Sequence, residues 1–248
     1  MVKANKNTAK KPVKDLTEEI KADIMIISPH PDDSEFGAAG SVARWVREGK
    51  TVVYVICTGG EKGTSDPAVK PEELAKTRVK EQQAAADLLG VKKVIFLGYE
   101  DQTLEDTPEF RKEIVRWIRT FKPDALVTAD PYRRYIWHRD HRITGQVVLD
   151  AAFPYARDHL SYPDFYEEGL MPHKVKEIFL WASEDPNYFS DITDTYETKL
   201  AALQCHESQV GGHHFPSIKQ WLTQRARDAA RDQEFELAEA FHRVEIPW

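Results

Sequence analysis

The stretch that decides the fold is IMIISPHPDDSEFG, residues 24–37. Ile24–Ser28 is a short apolar run, and Ala38, Val42, Trp45 and Val46 then recur at i, i+4, i+7 and i+8, one face of a helix. A buried strand therefore feeds a helix through a loop that carries a histidine and three carboxylates. The pattern repeats along the chain. Thr51–Cys57 is rich in β-branched residues and predicts a buried strand, and a helix is predicted over 71–89, stopped by Gly90 as its C-cap. Val94–Leu97 reads as another short buried strand. Phe110, Ile114, Trp117, Ile118 and Phe121 mark a helical face, Ala125–Thr128 a strand, and 141–153 a helix. Val175–Ala182 predicts a later strand. Asp194 and Glu197 suggest a capping arrangement that opens a helix to Cys205, Ile218 to Ala240 predicts a helix, and a short strand is expected at Val244–Ile246. Alternation of this kind implies an α/β, Rossmann-like fold: a mostly parallel sheet with helices on both faces. The looser stretch 154–174, with three prolines, is expected to be a surface excursion that could shape a pocket.

Composition narrows the function. With 248 residues, 41% of them apolar, the chain can bury one sizeable core. A net charge of -7 argues against nucleic acid as a partner, since phosphate binding needs clustered positive charge. Two cysteines make no disulfide framework and fit a reducing compartment. Residues 1–20, with five lysines before residue 15 and no apolar run behind them, read as a flexible tail rather than a secretory leader. No apolar run approaches the ~20 residues of a membrane span. The expectation is one domain over 21–248, in the cytoplasm.

In an open parallel sheet, ligands bind beyond the carboxyl ends of the strands. The segments there are Pro29 to Glu35, Thr58 to Gly63, Gly98 to Asp101, and Asp130 to His141. The first lacks the glycine fingerprint of dinucleotide binding, and its aspartates would repel a phosphate. They suit a cation instead. His30 and Asp33 lie three apart at a strand-to-helix turn, and His138 and His141 repeat that spacing at the start of a helix. Two histidines, a carboxylate and an open position are the pattern of a catalytic zinc site, which brings a bound water to a pKa of about 7. The bland alternative is that Asp32, Asp33 or Ser34 merely caps the next helix. Two histidines and three aspartates converging on one edge exceed what capping requires. An iron facial triad uses the same donors, though the α/β alternation argues against it. A silent sugar- or metal-binding module would not need a base beside the ligands, and another amide or an ester as substrate stays open.

Pro29-His30-Pro31-Asp32-Asp33-x-Glu35, Thr58-Gly59-Gly60-Glu61-x-Gly63, Arg78-x-x-Glu81, Tyr99-x-Asp101 and His138-x-Asp140-His141 together resemble the PIG-L/LmbE-like family of zinc-dependent deacetylases, in order and spacing over residues 22–210. Arg139 stands where the family commonly has proline, which removes no ligand. The resemblance implies a Rossmann-like fold and one zinc ion per chain held by His30, Asp33 and His141. It implies Asp32 as general base, and His138 as the group that stabilises the oxyanion or protonates the leaving amine, with Asp140 orienting it as an imidazolium. Arg78, Asp101, Glu61 and His206 match positions expected to contact substrate. The implied reaction is removal of an N-acetyl group from an amino sugar or conjugate, with acetate released; the lysine-rich tail and the lack of a membrane-length apolar run favour a small soluble substrate over a membrane-embedded glycolipid. A homo-oligomer, trimer or hexamer, is implied by family analogy alone.

Overall fold

The computed structural model describes residues 20–247, so residues 1–19 of the tail expected over 1–20 lie outside the described residues, while Ile20 packs against the core. β1 (Ile24–Ser28), β2 (Val52–Thr58), β3 (Lys93–Tyr99), β4 (Ala125–Ala129) and β5 (Glu177–Trp181) form the parallel part of a seven-stranded sheet. The order is β3-β2-β1-β4-β5-β7-β6, where β6 is Tyr188–Asp191 and β7 is Ala238–Glu245. β7 runs antiparallel to both β5 and β6.

Strand side chains alternate between faces, and each face carries its own core. On one side Ile26, Tyr54 and Val127 pack beneath α1 (Asp33–Arg47), α2 (Pro71–Leu89) and α5 (Tyr196–Gln204). On the other, Met25, Ile27, Val53 and Val55 pack beneath α3 (Pro108–Phe121) and α4 (Arg139–Asp150). Strands buried on both faces read as continuous apolar runs, which is why β1 and β2 were legible. Each fully buried aliphatic side chain contributes about 1.5–3 kcal/mol. A third cluster, with Ile192, Leu200, Leu203 and Leu222, forms where α7 (Phe215–Ala230) packs near α5. A short helix α6 (Glu207–Val210) lies between them.

Several expectations need correction. β3 is half-buried rather than buried, because it is the sheet edge and pairs with β2 alone. The helix expected over 141–153 ends at Asp150; Phe153 leaves the helical region (φ -143°, ψ 121°), as a residue preceding proline tends to. The Asp194–Glu197 capping pair does not form: α5 begins after Thr195, which makes no side-chain cap bond and donates its hydroxyl to the Gly40 carbonyl instead (2.8 Å). The helix expected to run to Ala240 stops at Ala230, and 238–245 is a strand far longer than the one expected at its end. The 154–174 excursion packs on α3, where buried Arg119 donates to the carbonyls of Tyr155, Ala156, Asp158 and Ser161. Among the described residues no helix is long and apolar enough to cross a membrane.

Candidate active site

β1 lies between β2 and β4, so the sheet order changes direction beside β1, at the crevice where ligands of such folds sit. His30, Asp32 and Asp33 follow β1; Trp137, His138 and His141 follow β4. Gly145 lets α4 approach that end: a Cβ there would stand 2.3 Å from the Ala129 carbonyl oxygen.

None of the residues after β1 caps α1. Asp32 occupies the N-cap position without a side-chain cap bond. Asp33 Oδ2 accepts the His30 backbone N–H (3.0 Å), and the Ser34 hydroxyl bonds that of Ser28 (2.6 Å). Asp33 instead bridges two histidines: its Oδ2 is 3.1 Å from His30 Nδ1, and its Oδ1 is 3.1 Å from His141 Nε2. Burial opposes the charge on Asp33, but His141 and His30 outweigh it and hold the carboxyl far below the usual range. The rings of His30, His138 and His141 lie within 4.7–5.4 Å of one another, and Trp137 packs edge-on against His141 at 4.6 Å.

The opposite nitrogen of His30 faces different partners. Nε2 is 3.1 Å from Asp101 Oδ1 and 3.3 Å from Asp140 Oδ2. Burial alone would lower the His30 pKa, but Asp101, Asp140 and Asp33 raise it to about 11. Asp101 and Asp140 are themselves held: Lys62 N–H donates to Asp101 Oδ2, Glu61 Oε1 accepts from Asp101 N–H, and Gln102 N–H donates to Asp140 Oδ2. Two groups of side chains could therefore hold an ion, His30 with His138 and His141, and His30 with Asp101 and Asp140. The second is sealed, with Asp140 fully buried and Asp101 3% exposed. Asp33 and His141 lie on the open side, lining a cavity of about 290 Å³. Donors of a tetrahedral ion with bonds of about 2.0–2.1 Å stand about 3.3 Å apart. His30 Nδ1 and His141 Nε2 each lie 3.1 Å from a different oxygen of Asp33, and two imidazoles with a carboxylate are donors of the kind zinc takes. A histidine ligand whose second nitrogen donates to a carboxylate is the usual support of such a site.

Asp140 departs from its expected part. It does not orient His138 through its carboxylate; its backbone N–H donates to His138 Nδ1 (3.1 Å). Burial, then the charges of His30 and His141, lower the His138 pKa, which works against the expected imidazolium. With Nδ1 accepting, its proton sits on Nε2.

Asp32 adopts φ 89°, a left-handed conformation that costs an aspartate about 1–3 kcal/mol and must be held by its surroundings. Its N–H donates to Gln82 Oε1 (3.0 Å), and its Oδ2 pairs with Arg78 Nη2 (3.1 Å). Burial pushes the Asp32 carboxyl up to about 7, with Arg78 restraining the rise and Asp33 adding to it. Arg78, 4% exposed, also donates to the carbonyls of Gly60 and Pro31 (2.7 and 2.5 Å), so its guanidinium is spent on protein rather than on a sugar. His206 is fully buried against Glu35 (3.0 Å), and Gln82 Nε2 donates to both Glu35 oxygens. Neither His206 nor Asp101 presents a surface to a substrate, which corrects the contacts expected of them. Glu61 lines a separate pocket with Lys62 and Glu100, and its carboxylate supports Asp101. Glu81 faces α6 and accepts from Ser208. Sequence reasoning missed Gln82, although it lies one helical turn after Arg78 on the same face of α2.

The GlcNAc-PI de-N-acetylase (PIG-L) family model matches residues 25–152, and the chain belongs to that family of deacetylases. The diacetylchitobiose deacetylase of Thermococcus kodakarensis is 38% identical over 75% of this chain and 69% of its own length. A probable N-acetyl-alpha-D-glucosaminyl L-malate deacetylase of Bacillus anthracis is 31% identical over 75% of this chain and 80% of its own. The solved N,N'-diacetylchitobiose deacetylase of Pyrococcus horikoshii superposes with a TM-score of 0.86 at 32% identity, covering 95% of this chain and 86% of that one.

Proposed function

We propose that this chain is a zinc-dependent hydrolase that removes the N-acetyl group of an amino sugar or amino-sugar conjugate, with one zinc ion held by His30 Nδ1, Asp33 and His141 Nε2. The observation that carries the reading is Asp32: a carboxylate with a raised pKa, adjacent to Asp33 yet turned to Arg78 by its left-handed backbone. Zinc in that position supplies a Lewis acid that polarises the acetyl carbonyl and brings a water to a pKa of about 7.

The protein groups divide the remaining work. Arg78 holds Asp32 Oδ2, leaving Oδ1 to take the proton of the attacking water. His138, exposed and carrying its proton on Nε2, donates a hydrogen bond to the oxyanion that develops on the acetyl oxygen. The proton held by Asp32 passes to the departing nitrogen, giving acetate and a free amine. Asp101 and Asp140 fix His30 and do not touch substrate.

The names of the relatives support an acetamido sugar as substrate class. By the same analogy, residues 21–248 act as one catalytic domain, in the cytoplasm, assembled as a homo-oligomer. Amine release from N-acetylglucosamine derivatives is the test, with protein as purified, stripped by chelator, and restored with zinc. Activity lost on stripping and regained with zinc supports the proposal; equal activity in all three forms overturns the zinc assignment, and no release in any form overturns the reaction.

A further inference from the structure

The cavity that begins at Asp33 and His141 continues to a patch that the reaction above does not use. Its far wall carries Arg133 and Trp137 from the loop after β4, and Trp221 and Arg225 from α7. The Arg133 guanidinium lies 4.4 Å from the Trp137 ring centre, and that of Arg225 5.0 Å from the Trp221 ring centre. Each cation rests on an indole face, which fixes its plane while leaving its N–H edge free to bind.

Neither arginine has a hydrogen bond or a carboxylate partner among the described residues. The neighbouring Arg134, by contrast, pairs with Glu184 at 3.2 Å. The two carboxylates lining the cavity are already engaged: Asp33 bridges His30 and His141, and Glu239 accepts from Lys199, Gly40 and Ser41. Arg133 and Arg225 are near enough that, besides loss of water around Arg225, the charge of Arg133 lowers the Arg225 pKa. In a chain of net charge -7, two unpaired guanidiniums facing one cavity repel each other unless an anion lies between them.

We propose that Arg133 and Arg225, braced by Trp137 and Trp221, form an anion subsite that receives a carboxylate or phosphate group on the aglycone of the acetamido sugar. The inference rests on the deacetylase reading and adds the substrate class: an acidic conjugate is preferred over a neutral chito-oligosaccharide. Trp137 links the two parts of the cavity, since it touches His141 on one side and carries Arg133 on the other. The acetamido group then lies at Asp33 while the anion lies at the arginines.

The test compares three N-acetylglucosaminides in the zinc-loaded enzyme, one with a neutral methyl aglycone, one with a carboxylate and one with a phosphate. Wild type is expected to favour the charged pair in kcat/KM by about ten- to a hundredfold, the range of one or two charge-assisted hydrogen bonds. That ratio should collapse in Arg133→Gln/Arg225→Gln, and whichever anion ranks first names the group. Calorimetric titration with the deacetylated glucosaminides reads the same preference without turnover. The substitutions lie at the surface side of the cavity, and the thermal midpoint of each variant checks that it folds. A neutral glycoside cleaved as well as the charged ones, or a preference unchanged in the double variant, overturns the subsite while leaving the deacetylase standing. Absence of any turnover with the binding preference intact overturns the reaction and leaves the subsite standing.

Discussion

His30 Nε2 lies 3.3 Å from Asp140 Oδ2, across a separation of 110 residues. The contact joins the loop after β1 to the first turn of α4, and Asp101 completes it from the loop after β3 at 3.1 Å. One imidazole thus turns one nitrogen to Asp33 and the other to two buried carboxylates. Replacing Asp140 by Asn keeps the shape and weakens the acceptor. Zinc affinity should fall about 10- to 100-fold, measured by competition with a chromophoric chelator. Wild-type affinity in Asp140→Asn would show that His30 needs no such support.

Asp32→Asn should lower kcat by about 10²- to 10⁴-fold, the contribution of a positioned general base. Metal analysis should still find one zinc per chain, because Asp32 is not in the proposed ligand set. Near-normal turnover would remove Asp32 from the base role; loss of the metal would place it among the ligands.

Gly60 has φ 62°, and a Cβ there would stand 2.3 Å from Arg78 Nη1. Gly60→Ala therefore both strains the backbone and displaces the guanidinium that holds Asp32. A stability loss of about 1–3 kcal/mol is expected in urea denaturation, with kcat falling more than KM rises. A variant with native stability and native kcat contradicts the assignment of Arg78 as the brace of Asp32.

Burial pushes the Cys57 thiol far above its ordinary pKa, and the side chain is fully buried beneath α4. The thiolate is the form that reacts, so native protein at pH 8 should leave Cys57 unalkylated while half-buried Cys205 is modified first. Peptide mapping by mass spectrometry reads the order. Early alkylation of Cys57 would mean that the core beneath α4 opens readily.

The parts of the fold legible in the sequence were those whose burial follows a simple period. Ile24–Ser28 and Val52–Thr58 are apolar on both faces, and the helical faces of α1 and α3 repeat at three and four residues. β7 was hidden because Ala238, Glu239 and Ala240 are strong helix formers, and pairing with β6 makes them extended. The site divides the same way. His30, Asp32, Asp33, His138 and His141 could be placed at one edge of the sheet, since each follows a strand end, and they do meet there. Which nitrogen of His30 faces Asp33, or whether Arg78 spends its donors inward, depends on side-chain direction, and spacing along the chain carries no record of it. Trp221 and Arg225 reach the cavity from a helix far along the chain, where no motif announces them.

Arg78 grips the Pro31 carbonyl, the Gly60 carbonyl and the Asp32 carboxylate with a single planar group. Substitutions at these positions are consequently not separate experiments for selection. Once Arg78 is gone, a change at Gly60 has no guanidinium left to displace, so that double replacement should cost less than the sum of its parts, while Asp32 keeps its own cost as the proposed base. Random mutagenesis should therefore return Arg78 almost unaltered, whichever sugar the enzyme is selected to accept.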